Sequence, residues 1–292
     1  MVSRLLSSIL FLTLVCIGVA QDLGANRESL GKITDSRLNE LSGLVNSRKN
    51  SSLFWTHNDS GDSARIFLID RKAKLKCIVA LEGVHTVDAE DIAWFERDGR
   101  PYLVLADIGD NYGQRPTIQL YIFEEPVWQE GRSHMVIPRS AIVQVSLRYD
   151  DKPRDAEAFF VDPLDKKGYL ISKRDLQVGV YPIDFQQAED GETLSISRAL
   201  SLPMTFITAA DIAADGSEIL LKNIGQVFLW HRLGSASVID VFRQRPNTVE
   251  YQAEPQGEAI CFGYQNHVFY TVSERPLGLD AYLYSYTLGN TK

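Results

Sequence analysis

Short apolar segments separated by turn residues run through most of the chain, and helical spacing of apolar positions is scarce. The segments are rich in Val, Ile, Leu, Phe and Tyr, and clusters of Gly, Asp, Asn and Pro lie between them. Apolar runs of about four to eight residues bounded by such clusters are typical of β-strands and turns. The pattern therefore predicts an all-β protein built from many short strands.

An internal repeat organises these predicted strands. A short polar motif that leads into an apolar run occurs five times, at residues 40–45, 88–93, 155–160, 208–213 and 256–261. A second and a third strand-like segment follow each copy, and a fourth follows all but the last. Repeats of four strands at this period are the sequence signature of a β-propeller.

The repeat count predicts five blades. Six blades are the alternative, because the second repeat is the longest and has room for extra strands. The fifth repeat lacks a fourth strand, and residues 30–37 can supply it from the N-terminal side and so close the ring. We therefore expect a closing segment at residues 21–35 and one propeller domain at residues 36–288. A β-sandwich is the competing fold, but it does not require an acidic motif at the start of each unit.

Residues 1–20 resemble a signal peptide. They contain one basic residue, Arg4, followed by an apolar stretch, and small residues precede Gln21. This arrangement predicts cleavage near Ala20 and a secreted or periplasmic protein. No later segment is long and apolar enough to predict a membrane span.

The chain is acidic, with a formal net charge of −8 at pH 7. This charge disfavours nucleic acid as a partner and fits cations or cationic groups. The partners expected are a small anionic molecule, bound with the help of lysines, or another exported protein. Cys77 and Cys261 lie in separate strand-like runs, which favours two buried thiols over a disulfide.

Propeller geometry brings the five motifs together. The first strand of a blade lines the central channel and the second runs antiparallel to it, so first-strand starts and second-strand ends share one mouth. Two carboxylates about 6 Å apart repel by roughly 3 kcal/mol at an effective dielectric of about 20. A cation or raised pKa values must compensate. All-oxygen ligand sets suit calcium. The predicted metal ligands are Glu40, Asp88, Glu90, Asp155, Glu157, Asp211 and Glu258.

Two classes of function stay open. A metal-dependent hydrolase would combine the cation with polar residues near the mouth, and the candidate catalytic residues are His57, Asp107, Lys173 and Lys222. A non-catalytic binding propeller is the alternative, because no G-x-S-x-G elbow, zinc-protease helix or Cys–His pair occurs. The acids would then bind a structural cation, or cap backbone groups with no cation at all.

The sequences "ELSGL", "HNDSGD", "DAEDIA" and "DAEA" resemble exported bacterial propellers of the "esterase-like activity of phytase" domain family. More distantly, they are similar to the strictosidine-synthase and gluconolactonase-like calcium propellers. The resemblance spans residues 36–288. It implies a propeller with a cation near the channel, bound by Glu40, Glu90, Glu157 and Glu258, and hydrolysis of phosphoesters, esters or lactones in some members.

Overall fold

The alternation of short strands and turns folds into five sheets arranged in a ring. The computed structural model describes residues 22–265 and 267–289, so the predicted signal peptide lies outside the described residues. The innermost strands of the five sheets contact one another in chain order, and the last contacts the first. The protein is therefore a five-bladed β-propeller, and the six-blade alternative is wrong.

Each repeat contributes strands that run outward from the channel. Two strands precede the first repeat, β1 (Asp22–Leu23) and β2 (Ala25–Lys32). The first repeat contains β3 (Leu41–Asn46), β4 (Leu53–Asn58), β5 (Arg65–Asp70) and β6 (Leu75–Leu81). The second contains β7 (Asp91–Arg97), β8 (Arg100–Asp107), β9 (Ile118–Glu124), β10 (His134–Ile137) and β11 (Val143–Tyr149).

The remaining repeats follow the same plan with shorter outer strands. The third contains β12 (Ala156–Val161), β13 (Gly168–Ser172), β14 (Val178–Ile183), β15 (Thr193–Ile196) and β16 (Leu200–Leu202). The fourth contains β17 (Ile207–Ile212), β18 (Glu218–Asn223), β19 (Val227–His231), helix α1 (Val238–Phe242) and β20 (Asn247–Val249). The fifth contains β21 (Gly257–Phe262), β22 (Val268–Ser273) and β23 (Tyr282–Leu288).

The N-terminal segment closes the ring, as the sequence predicts. Strand β2 pairs antiparallel with β23, from Ala25 opposite Leu288 to Lys32 opposite Tyr282, and so completes the fifth blade. The closing strand begins and ends earlier than the predicted residues 30–37, because residues 33–40 are needed to return to the first blade.

Extra strands cover the outer edges of three blades. β10 pairs parallel with β6, β15 pairs parallel with β11, and β1 pairs parallel with β20. An open edge exposes unpaired backbone groups, and covering it removes a site for edge-to-edge association. The additional length of the second repeat thus supplies β10 to the first blade and does not form a sixth blade.

The segment at residues 237–243 corrects the expectation of a fourth strand. It forms α1, and the Ser237 side chain caps it by accepting a hydrogen bond from the Asp240 backbone N–H. Its buried residues, Val238, Val241 and Phe242, have the spacing of one helical face. They pack into the apolar layer between the third and fourth blades, and the short β20 serves as the fourth strand.

Five apolar clusters fill the five gaps between neighbouring blades. Successive side chains of a strand point to opposite faces of its sheet, so each blade contributes to the clusters on both sides. Cys77 and Cys261 are buried as free thiols in two different clusters, as predicted. Among the described residues, no helix is long and apolar enough to cross a membrane.

Candidate metal centre

Irregular strand starts place acidic side chains at one mouth of the channel. In β12, β17 and β21 the pairing with the second strand skips one residue, and the skipped residues are Glu157, Thr208 and Glu258. In such a bulge two residues oppose one, and the extra side chain is redirected. The bulge thus turns Glu157 and Glu258 away from the regular alternation of their strands.

The same register explains why Asp211 lies away from the mouth. The bulge aligns Thr208 with Glu157, so the motif of the fourth repeat begins two residues earlier than the sequence comparison placed it. Asp211 therefore lies near the far end of β17, where its Oδ2 accepts a hydrogen bond from the Phe262 N–H at 2.7 Å. Burial raises the pKa of Asp211 to about 7.

The mouth gathers seven carboxylates in three overlapping groups. Within each group, the candidate ligand atoms lie within 4.8 Å of one another. The groups are Glu90–Asp155–Glu157, Asp59–Asp88–Glu90 and Asp59–Glu258–Glu274. Because Glu90 and Asp59 each belong to two groups, the carboxylates form one continuous cluster from the third blade, through the second and first, to the fifth.

The inner part of the cluster is buried and only partly neutralised. Glu157 is 3% exposed, and its Oε1 pairs with the ammonium of Lys173. Its Oε2 is buried and has no hydrogen-bond partner among the described residues. A buried carboxylate oxygen without a partner is costly, so this atom points to a missing ligand.

Neighbouring Asp155 is held from two sides. Its Oδ1 accepts a hydrogen bond from the Asp110 N–H at 2.9 Å, and its Oδ2 accepts one from the Arg174 Nε at 2.5 Å. Asp88 accepts a hydrogen bond from the Asn111 side-chain amide at 3.2 Å. These contacts fix both aspartates at the edge of the cluster.

Burial and mutual repulsion raise the pKa values of carboxyl groups in the cluster. Burial, together with the charges of Asp59 and Asp88, raises the pKa of Glu90 well above its ordinary value. Burial raises the pKa of Asp59 to about 7, with Asp88 and Glu258 adding to the effect. Burial and the adjacent Glu258 raise the pKa of Glu274 to about 9. Without a cation, part of the cluster is therefore neutralised by bound protons.

The loop after β8 packs against the carboxylate cluster. Gly109 packs so closely that a Cβ there would lie 2.3 Å from Glu90 Oε1 and 2.4 Å from Asp88 Oδ2. Arg115 braces the loop through Asp107, at 2.9 Å, and through the Gly109 carbonyl, at 2.6 Å. Asp107 is fully buried and also accepts hydrogen bonds from the Val87 and Asp88 backbones, so it acts as a scaffold.

The candidate catalytic residues His57 and Lys222 are buried. His57 Nε2 accepts a hydrogen bond from Gly43 N–H at 3.1 Å, Nδ1 lies 2.9 Å from the Asn58 carbonyl, and burial lowers the pKa of His57 to about 4. Lys222 donates to the Gly257 carbonyl, and burial lowers its pKa to about 8. Neither side chain faces solvent at the mouth.

The other predicted residues divide between the cluster and its margin. Lys173 pairs with Glu157 and lies 3.8 Å from Glu258, so it acts as an internal counterion. Glu40 is exposed at the rim near Glu274. Five of the seven predicted ligands therefore lie in the cluster, and Glu40 and Asp211 do not.

The predicted ligand set does not include Asp59 and Glu274, which belong to the carboxylate cluster. Both directly follow second strands, and their N–H groups bond to the carbonyls of Glu40 and Gln256 just before the first strands. Lys173 occupies the corresponding place in the third blade. Their position at the predicted mouth was therefore a usable signal, although neither residue belongs to a repeated acidic motif.

The opposite end of the channel has a different character. The Arg48 guanidinium stacks on the Trp94 ring, 3.5 Å from its centroid, and the two line a small cavity with Asp211. Asp91, the first residue of β7 and the neighbour of Glu90, is also buried; it accepts hydrogen bonds from Phe159 and Ile92 N–H groups and ties the second blade to the third. Asp91 and Asp211 thus each bind backbone N–H groups and join neighbouring blades.

Comparison with known protein families and curated proteins finds no matching family model and no curated protein with significant similarity. The fold defines the protein as a five-bladed propeller with acidic groups able to hold a metal ion at one mouth. The resemblance to phytase-like esterase and lactonase-type propellers stays a prediction.

Proposed function

We propose that this protein binds a divalent cation, with Ca²⁺ the expected ion, and hydrolyses phosphoesters, esters or lactones at that site. The observation that carries the proposal is the buried Glu157 Oε2, which has no partner and lies in a group with Glu90 and Asp155. A cation at this place would compensate the carboxylates that Lys173 leaves unbalanced.

The donor set favours calcium. The seven clustered side chains offer carboxylate oxygens only, and calcium accepts six to eight oxygens in flexible geometry, whereas magnesium demands a near-ideal octahedron. Glu90 and Glu157 would be the central ligands, and Asp59 would complete the set from the first blade. Export to the periplasm or medium, proposed from residues 1–20, suits a calcium site of moderate affinity.

The proposed hydrolase activity rests on the open side of the cluster. Glu90 and Glu157 are nearly inaccessible, whereas Asp59 and Glu258 are partly exposed, and a reactant can therefore approach from one direction. A bound divalent cation supplies Lewis acidity toward a carbonyl or phosphoryl oxygen. Arg174, with nearly half of its side chain exposed, can attract an anionic group toward the mouth.

Cation binding is tested by thermal unfolding of the purified protein in chelator and in calcium, with metal content measured in parallel. A ligand at a hundredfold excess over its dissociation constant adds about 2.7 kcal/mol. For a domain of this size we expect the melting temperature to rise by about 5 °C. Glu157→Gln and Glu90→Gln should each reduce this rise, whereas the control Glu130→Gln, exposed on the opposite face, should not.

Catalysis is tested with p-nitrophenyl phosphate, p-nitrophenyl acetate and a lactone, each with calcium and with chelator. We expect hydrolysis that chelator abolishes and that Glu157→Gln lowers. A calcium-induced rise in melting temperature with no hydrolysis would support the non-catalytic binding propeller instead. No thermal shift and no bound metal would refute the cation site itself.

A further inference from the structure

Exposed apolar side chains are concentrated around the acidic mouth. Among the described residues, twelve large apolar side chains are exposed, and seven belong to loops at the mouth. These seven, the apolar rim, are Val87, Tyr112, Leu176, Phe206, Ile224, Leu277 and Leu279. Single exposed apolar residues are ordinary, but a concentration on one face marks a binding surface.

Three residues of the apolar rim are linked to residues in or beside the carboxylate cluster. Val87 directly precedes Asp88, and Tyr112 directly follows Asn111, whose side chain binds Asp88. Phe206 donates its N–H to the carbonyl of Lys173 at 2.8 Å. The second, third, fourth and fifth blades all contribute to the rim, and the loop of the first blade is polar.

Two residues of the apolar rim have an unusual backbone conformation. Leu277 has φ of 54° and Phe206 has φ of 56°, in the left-handed region that side chains other than glycine rarely adopt. Local hydrogen bonds hold the Leu277 loop, since Gly278 N–H bonds to Arg275 O and Arg275 N–H bonds to Asn39 O. Such strain is maintained at functional sites more often than elsewhere.

We propose that the mouth takes an amphiphilic ester or phosphoester, whose polar head enters the carboxylate cluster and whose apolar group lies on the apolar rim. This inference rests on the proposed hydrolase site. It narrows the substrate class from small polar esters to molecules with an alkyl or aryl group next to the hydrolysed bond. The exposure of Leu176 (93%) and Leu277 (104%) gives such a group apolar surface to cover.

The test is calorimetric binding of methyl, butyl and octyl phosphate below their micelle concentrations, in calcium and in chelator. A fully buried methylene tightens binding about fourfold, so half-burial on an open rim should make octyl phosphate at least about tenfold tighter than butyl phosphate. Leu176→Ser and Leu277→Ser should each weaken octyl phosphate binding about threefold or more and leave methyl phosphate binding unchanged. Leu233→Ser, exposed on the opposite face, is the matched control.

Each outcome separates this inference from the proposed function. A calcium-dependent head-group affinity with no chain-length dependence would overturn the inference and leave the cation site intact. Chain-length dependence together with methyl phosphate affinity that is the same in calcium and in chelator would support the rim and refute the role of a cation in binding the head group. Dimerisation that Leu277→Ser abolishes in sedimentation, or binding to phosphatidylcholine vesicles with no response to monomeric octyl phosphate, would assign the rim to another occupant and overturn the inference.

Discussion

Replacing Glu274 by glutamine in the cation-free protein should reveal the electrostatic cost of the carboxylate cluster. The side chain lies at the mouth beside Glu258, and its pKa is raised from an ordinary 4.5 to about 9. A carboxyl with a raised folded-state pKa binds more protons in the folded than in the unfolded protein. Its contribution to stability is therefore full below about pH 4.5 and is lost as pH rises toward 9. Glutamine carries no charge at any pH and escapes this loss.

The size of this stability difference follows from the pH interval over which folded Glu274 keeps its proton. Between pH 6 and pH 8 the folded protein keeps the Glu274 proton that the unfolded chain has released, which costs about 1.4 kcal/mol per pH unit for a fully shielded group. The mouth opens to water, and solvent screening reduces the effect, so we take half of this value. Glu274→Gln should therefore gain about 1.4 kcal/mol over the wild type between pH 6 and pH 8, or about 3 °C in melting temperature.

The assay is differential scanning calorimetry of both proteins at pH 6, 7 and 8, first in chelator and then in calcium. In chelator the two melting temperatures should diverge as pH rises, with the variant the more stable. In calcium the divergence should shrink, because the cation compensates an ionised Glu274. Parallel pH dependence of the two proteins in chelator would show that Glu274 is ionised throughout, and would refute the raised pKa.

Two further substitutions separate the site from the scaffold. Gly109→Ala places a methyl group against the Glu90 and Asp88 carboxylates. These side-chain ends can shift, so the fold should persist while calcium no longer raises the melting temperature. The control is Gly225→Ala, because a methyl group at Gly225 would lie in open space. Asp162→Asn removes one partner of the buried Arg232 pair and should cost about 3 to 5 kcal/mol in urea unfolding, with the calcium response retained. A calcium response retained in Gly109→Ala would contradict the placement of Gly109 against the cation site. An unchanged free energy of unfolding in Asp162→Asn would contradict the structural role of the Asp162–Arg232 pair.

Much of the fold follows from periodicity in the sequence. Five copies of a motif, each followed by strand-like segments, require a ring of similar sheets, and an incomplete last repeat requires closure by another segment. The pairing of β2 with β23 confirms that closure. β2 lies within the predicted closing segment 21–35 but begins before residues 30–37, because register depends on pairing with β23, which a single strand pattern does not reveal.

The misplaced outer elements have local physical causes. The segment 237–243 is apolar enough for a strand, but Ser237 and Asp240 form an N-terminal cap, and the spacing of Val238, Val241 and Phe242 is helical. The fourth strand-like segment of the third repeat spans residues 194–203, yet it supplies parts of two strands, because β15 joins the second blade and β16 joins the third. That division depends on which neighbour offers an open edge, and this is a tertiary property.

The sequence predicted that acidic side chains meet at one mouth of the channel, but it did not predict every residue of the cluster. Five of the predicted carboxylates do meet there, because antiparallel neighbours must end where the first strands begin. The place of Asp211 was missed because the fourth motif was aligned two residues too late; the bulges align Thr208 with Glu157, and the apolar pattern does not reveal where a bulge lies. Asp59 and Glu274 were not predicted as members of the cluster because second-strand ends do not repeat a common residue type.

The residues at the bulge position bear on the proposed cation site. Ser42 and Thr208 occupy it in the first and fourth blades, and their hydroxyls bond to the carbonyls of Glu90 and Gly257 in the next blade, at 2.7 and 3.2 Å. A hydroxyl is therefore sufficient to join two blades. In the third and fifth blades the bulge instead holds Glu157 and Glu258, and in the second blade Glu90 directly precedes β7. These three carboxylates bring like charges near one another, and the proposed cation would offset their repulsion.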